Sequence, residues 1–160
     1  MNGRPVVANV VVNYNGAGFL NELADSLRNV AYPNLRLILV DNASTDGSRD
    51  RLTALFPEAE VILNERNLGL APALNQALSR CTEGDIDYVL LLNPDTVQAP
   101  DFLDRLLEAA DASTIVVPKV LHYYQRDRIN THAGGFDWTR GVFRNTFDGE
   151  RDGPATSYRH

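Results

Sequence analysis

Cysteine is nearly missing from this chain. Cys81 is the only one in 160 residues, which excludes an intramolecular disulfide and a cysteine-based zinc site. A reducing compartment is therefore the default expectation. Basic residues are short as well, with 15 Lys and Arg against 21 Asp and Glu and a net charge of −6. That balance argues against a nucleic-acid surface, which needs clustered positive charge. A bound nucleotide stays open, since backbone amides or a metal can hold one. No apolar run approaches the roughly 18 residues of a membrane span, and the N-terminus lacks a signal-peptide pattern. The chain reads as cytoplasmic, with peripheral contact at the inner face of a membrane left open. Motifs are absent too. Neither G-x-S-x-G nor G-x-x-x-x-G-K-[ST] occurs, and "NYNGAG" stands where a dinucleotide fold would carry G-x-G-x-x-G. Of the histidines, His122 and His132 read as loop residues without a close acidic partner at motif spacing.

What remains is a regular alternation. Val6 to Val12 is a β-branched run suited to a strand covered on both faces. Leu20, Leu23, Ala24 and Leu27 follow at helical spacing. Leu35 to Val40 reads as a second buried strand, and "ASTDGS" offers Ser, Thr and Asp as caps for a short helix that Pro57 ends. Val61 to Leu63 is a brief strand, Pro72 to Ser79 a helix, and Tyr88 to Leu92 a central, buried fourth strand. A helix through Leu103 and Leu107 and a fifth strand at Ile115 to Val120 complete the series. Such alternation predicts a Rossmann-like α/β sandwich with a mainly parallel central sheet. The pattern changes near residue 121. Residues 122–160 are polar, aromatic and Gly-rich, which predicts a hairpin or an ordered loop with little core.

Open parallel sheets bind ligands beyond the carboxyl ends of their strands. Those ends here read Asn13-Tyr14-Asn15-Gly16, Asp41-Asn42-Ala43-Ser44, Asn64 with Arg66, Asn67 and Gly69, and Asn93-Pro94-Asp95. Taken singly, each has a structural explanation. Asx residues cap and turn, and Gly69 supplies positive φ. Their coincidence on one sheet edge favours a ligand site.

The segments "VVVNYNGAGFLNELADSL", "LILVDNASTDGS", "RNLGLAPALNQAL", "YVLLLNPDTVQAPDFLDRLL" and "HAGG" occur in this order. Together, over residues 5 to about 136, they resemble the family-2 inverting glycosyltransferases of glycosyltransferase-A fold. Within that family the resemblance is to the rhamnosyltransferase-like branch that builds cell-surface polysaccharides. It implies transfer of a sugar, rhamnose included, from a dTDP- or UDP-sugar to a saccharide or lipid-linked acceptor. It also implies that Val12, Asn13, Tyr14, Asp41 and Asn42 cradle base and ribose, with Tyr14 against the base. Arg66, Asn67, Gly69, Asn75 and Asn93 would line the rest of the donor pocket.

The family's metal-binding D-x-D falls on Asn93-Pro94-Asp95, which makes Asp95 the expected ligand of Mg²⁺ or Mn²⁺. The physical case for that cation is independent of the family. A departing diphosphate gathers negative charge, and a hard cation with carboxylate, phosphate and water oxygens neutralises it. The sequence departs from the pattern at Asn93, where a second acid often stands, and in "LAPALN", where Pro72 and Leu74 replace small or polar residues. An inverting transfer also needs a base for the acceptor hydroxyl. No Glu-Asp pair stands in a matching context, so no catalytic residue is assigned.

Residues 1–121 are thus expected to form the nucleotide-sugar-binding domain, and 122–160 the start of an acceptor-side region. The alternative is a non-catalytic nucleotide-sugar-binding or assembly module. A nucleotidyltransferase would want a basic residue in the first loop, and "NYNGAG" has none.

Overall fold

The computed structural model describes residues 3–82, 84–131, 134–137, 139–140, 142–145 and 148–153. The chain forms two compact units, residues 1–104 and 105–160. The boundary drawn after residue 121 from the sequence falls at the end of a short strand inside the second unit.

In the first unit, strands β1 (Val7–Asn13), β2 (Leu35–Asp41), β3 (Glu60–Leu63) and β4 (Tyr88–Leu92) form a sheet in the order β3-β2-β1-β4. All pairings are parallel, with Val10 beside Ile38 and Leu91, and Asp41 beside Leu63. Helices α1 (Leu20–Arg28), α2 (Ser48–Leu55) and α3 (Leu70–Thr82) supply the crossovers. The period-2 alternation of strand side chains sorts the core into two layers. Val11 and Leu39 pack with Leu20, Leu23, Leu27, Leu52 and Phe56 of α1 and the α2 segment on one face. Ala8, Val10, Ile38 and Val40 meet Ala73, Ala77 and Cys81 of α3 on the other. The small α3 residues let the helix lie close to the sheet. Cys81 is buried in this layer, and desolvation raises the pKa of its thiol.

Two expectations need correction. The fourth strand is not central but closes the order at one edge of this sheet. Val89 and Leu91 share a face with Ala8 and Val10, yet they are 40% and 51% exposed, because α3 packs over β1 and β2. The expected fifth strand is reduced to β5 (Val120–Leu121), and residues 115–119 have no regular structure. A strand persists only where another backbone takes its hydrogen bonds, and among the described residues only Val120 and Leu121 find one, in β6 (Ile129–Thr131).

Helix α4 (Phe102–Ala109) carries the chain into the second unit. There β5 and β6 pair antiparallel, as do β7 (Gly134–Asp137) and β8 (Val142–Asn145). Residues 148–152 run along residues 127–129. The Ile129 amide donates to Glu150 O at 2.8 Å and the Asp152 amide to Asp127 O at 2.7 Å. Lys119 Nζ pairs with Asp152 at 2.5 Å. No helix among the described residues is long and apolar enough to cross a membrane.

Candidate functional site

The parallel register brings the loops after β1, β2, β3 and β4 to one edge of the first unit. Side chains then join these loops in two clusters. Asn13 and Asp41, adjacent in register, are wholly buried. The Asn13 amide nitrogen donates to Asp41 Oδ2 at 3.1 Å, Ser44 Oγ at 3.0 Å and Ser48 Oγ at 2.9 Å, so its two hydrogens serve three acceptors. Asp41 Oδ1 accepts the Ser44 amide at 3.0 Å. A buried carboxylate is tolerated because donors replace the water it loses. Gly16 folds over this cluster so closely that a Cβ there would lie 2.3 Å from Asn13 Oδ1. The same Cβ would lie 3.7 Å from Pro94 Cβ, so the β1 and β4 loops adjoin.

The second cluster centres on Asn42, also buried. Its Nδ2 donates to Asn67 Oδ1 at 2.8 Å and Gly69 O at 3.3 Å, while its Oδ1 accepts from the Leu68 amide at 3.0 Å and Asn64 Nδ2 at 3.1 Å. Asn64 and Gln76 exchange amide hydrogen bonds at 2.9 and 3.0 Å, which ties the end of β3 to α3. Gly69 turns the chain into α3 at φ 83°, a conformation open to glycine at little cost.

The remaining residues singled out in the sequence stand free of these clusters. Val12 is half-buried, whereas Tyr14, Arg66, Asn75, Asn93 and Asp95 are exposed. Tyr14 sits between two fixed neighbours. Asn15 adopts left-handed φ of 53°, its amide donates to Ser44 Oγ at 3.0 Å, and its Oδ1 accepts the Thr45 amide at 2.8 Å. Ala43 is left-handed too, at φ 66°. Non-glycine residues held there are strained by roughly 1–2 kcal/mol, and such strain concentrates at functional loops. Behind Asp95, Thr96 Oγ1 donates to Asn93 O at 2.8 Å, Gln98 Nε2 to Thr96 at 2.7 Å, and buried Ser26 of α1 to Gln98 Oε1 at 2.7 Å. The Asp95 carboxylate itself has no partner among the described residues.

No three His, Cys, Asp or Glu side chains converge as a metal cage among the described residues. The donor set present is one free carboxylate at a strand tip. It fits a hard divalent cation whose other positions come from phosphate oxygens and water.

Sequence reasoning missed the residues that fasten these loops, namely Asp46, Ser48, Gln76 and Gln98. The signal available was the density of side-chain oxygens in "ASTDGS", read as helix caps alone. The formal cap of α2 is Gly47, at φ 83° without a side-chain bond, and Asp46 one residue earlier takes the Ser48 amide at 3.0 Å. In the second unit His122 does have an acidic partner, Asp148, 3.0 Å from its Nε2, and Asn130 faces its Nδ1. His132 lies outside the described residues. A cleft of about 410 Å³, lined among others by Leu27, Tyr32, Arg36, Leu37 and Phe56, opens where β2 and β3 begin, away from the carboxyl edge.

A parallel sheet with helices on both faces and polar loops gathered at its carboxyl edge is the ligand-binding arrangement of open α/β proteins. The chain belongs to glycosyl transferase family 2, whose model matches residues 9–158. A Bacillus subtilis protein named for glycosyl transfer in teichuronic acid biosynthesis is 33% identical over 110 residues, 67% of this chain and 42% of that protein. The N-acetylglucosaminyl-diphospho-decaprenol L-rhamnosyltransferase of Mycobacterium tuberculosis is 32% identical over 114 residues, 66% of this chain and 36% of its own length. Among solved structures, a mannosyltransferase of Pyrobaculum calidifontis in complex with GDP-Man and Mn²⁺ matches with TM-score 0.63 and 28% identity, over 76% of this chain and 37% of that one. TarS of S. aureus, residues 1–349, in complex with UDP-GlcNAc shares the fold at TM-score 0.57 and 22% identity, over 64% of this chain and 30% of that one. The chain thus spans about two fifths of the curated relatives it matches.

Proposed function

We propose that this chain is the donor-binding portion of an inverting glycosyltransferase that elongates a cell-surface polysaccharide or a lipid-linked saccharide. The nucleoside-diphosphate sugar lies along the carboxyl edge. The exposed Tyr14 ring stacks on the base. Asn13, Asp41 and Asn42 form the rigid floor beneath base and ribose, and Val12 closes its inner side. Arg66, Asn67, Gly69 and Asn75 line the donor beyond that floor. Asn93 and Asp95 face the diphosphate, and Asp95 would hold Mg²⁺ or Mn²⁺ there. A cation held there would supply the positive charge that a leaving diphosphate calls for.

The observation that carries this reading is the free Asp95 carboxylate on a loop that adjoins the locked Tyr14 loop. Support for a nucleotide diphosphate with a divalent ion comes from the Pyrobaculum mannosyltransferase, solved with GDP-Man and Mn²⁺. Support for rhamnose comes from the mycobacterial relative at 32% identity. Calorimetric titration with dTDP-rhamnose, UDP-sugars and GDP-mannose, with and without Mn²⁺, tests both levels. Metal-dependent binding of one of them is expected, with dTDP-rhamnose tightest. Failure to bind any nucleoside diphosphate overturns the donor-site reading.

A further inference from the structure

Asp46 has no part in the scheme above, yet one of its carboxylate oxygens is engaged by the β1–α1 loop and the other by the start of α2. Oδ2 accepts the Ala17 amide of the β1–α1 loop at 2.9 Å. Oδ1 accepts the Ser48 amide at 3.0 Å and the Ser48 hydroxyl at 2.5 Å, at the start of α2. The Ser48 oxygen in turn accepts from Asn13 Nδ2 at 2.9 Å, and Asn13 donates to Asp41 at 3.1 Å. An unbroken chain of bonds therefore runs from Ala17 through Asp46, Ser48 and Asn13 to Asp41. It encloses both flanks of Tyr14. Arg51 of α2 reinforces the same seam, with one guanidinium nitrogen 2.9 Å from Ala17 O and the other 3.0 Å from Asn21 Oδ1.

We propose that Asp46 is a positioning residue for the nucleotide side of the site. Its carboxylate sets the spacing between the β1–α1 and β2–α2 loops, and so the places of the Tyr14 ring and the Asp41 floor. The inference rests on the donor-binding reading. The chemistry demands a carboxylate, because every group aimed at this side chain is a donor: two amides and a hydroxyl. An amide at this position would point its own N–H groups at one of them. Preorganised loops bind more tightly than loops that must be ordered by the ligand. Charge-assisted bonds to backbone amides are among the stronger ways to hold them. The β4 loop carrying Asp95 takes no part in this chain, since Gln98 and Ser26 anchor it separately.

That separation supplies the test. Two titrations are run on the unaltered chain, Asp46→Asn, Asp46→Ala and Ser48→Ala. One uses whichever of UDP, GDP or dTDP binds the unaltered chain most tightly, and the other inorganic pyrophosphate with Mn²⁺. Both Asp46 variants are expected to lose roughly tenfold in nucleotide affinity, as removal of charge-assisted bonds from a preorganised site implies. Ser48→Ala, which spares the Ala17 bond, should lose less. Pyrophosphate affinity should hold within about twofold, a factor well below the tenfold that 1.4 kcal/mol represents. Unchanged nucleotide affinity in the Asp46 variants overturns the positioning role. Equal losses for nucleotide and pyrophosphate in Asp46→Asn and Ser48→Ala also overturn it, because Asp46 would then support the fold at large. If the unaltered chain binds pyrophosphate but no nucleotide, the donor-site reading itself fails and takes this inference with it.

Discussion

Strands β2 and β4 flank β1 on opposite sides and run in the same direction, yet they end in opposite ways. The residues of β2 from Ile38 to Asp41 are all buried, and Asp41 delivers its carboxylate into a cage of donors. Strand β4 alternates between half-buried and exposed residues, and its loop delivers Asp95 to open surface. The two acids therefore differ in the work they can do. A carboxylate enclosed and bonded on both oxygens fixes the backbone around it. A free one keeps its lone pairs for a ligand and, above all, for a cation. The edge combines a half whose polar groups are bonded to one another with a half whose carboxylate is exposed; under the proposed function the ligand would complete the second half.

The first way to break this contrast is to make the same substitution in both strands. Leu39→Ala removes a fully buried side chain from the layer under α1 and is expected to cost about 2–5 kcal/mol. Leu91→Ala, half exposed already, should stay below about 1 kcal/mol. Urea denaturation followed by circular dichroism measures both. Equal losses would show that β4 is enclosed after all. A smaller effect is expected from Gly16→Ala. Its methyl meets Asn13 Oδ1 far inside contact distance, and displacing that amide should cost about 1–3 kcal/mol together with nucleotide binding.

Asp95→Ala sharpens the contrast from the other side. Stability should change by less than about 0.5 kcal/mol, since the carboxylate is exposed and has no partner among the described residues. The gain in nucleoside-diphosphate affinity on adding Mn²⁺ should fall by roughly tenfold, about 1.4 kcal/mol. Calorimetry with and without the ion reads this directly. A metal effect that survives the substitution would place the cation away from Asp95 and overturn its role as the ligand.

Much of this was legible in the residues and some of it was not. The β-branched run at Val6 to Val12 and the spacing of Leu20, Leu23 and Leu27 specify their elements locally, so β1 to α4 emerge close to their observed bounds. Parallel alternation also dictates that Tyr14, Asp41, Asn67 and Asp95 share an edge. Burial is a different matter, because it depends on strand order. "YVLLL" has the composition of a central strand, and only the placement of α3 leaves Val89 and Leu91 uncovered. Residues 115–119 have strand composition as well, but backbone pairing decides, and their segment obtains it only at its end. The loop clusters were invisible for a related reason. Asn13 and Asp41 lie 28 positions apart, and Asn13 and Ser48 lie 35 apart, so no local pattern announces that they meet.

The smallest expected effect concerns acid, and it separates the two units. Ser48 hydroxyl bonding, with help from the Ala17 amide, holds the Asp46 carboxyl below its ordinary value of 3.8. In the second unit the Thr114 hydroxyl and the Ser113 amide and hydroxyl lower Asp111 to about 2. Because both groups are depressed in the folded state, the unfolded chain binds the extra proton first. Stability from each is complete above the unfolded value near 3.8, and it is lost as pH falls through the folded one, which for Asp111 means a window from 3.8 down to about 2. Both carboxylates face solvent, so the losses should be small and salt-sensitive. Their consequences should differ. Melting temperature followed from pH 5 to pH 2 should show less decline in Asp46→Asn and in Asp111→Asn than in the unaltered chain, each variant removing its own contribution to the slope. Nucleotide affinity measured over the same range should fall with protonation of Asp46, and that fall should persist in Asp111→Asn, because Asp46 alone of the two bonds to the loop that carries Tyr14. Were Asp111→Asn to remove the acid loss of affinity instead, the division between a shaped nucleotide half and the rest of the chain would be wrong.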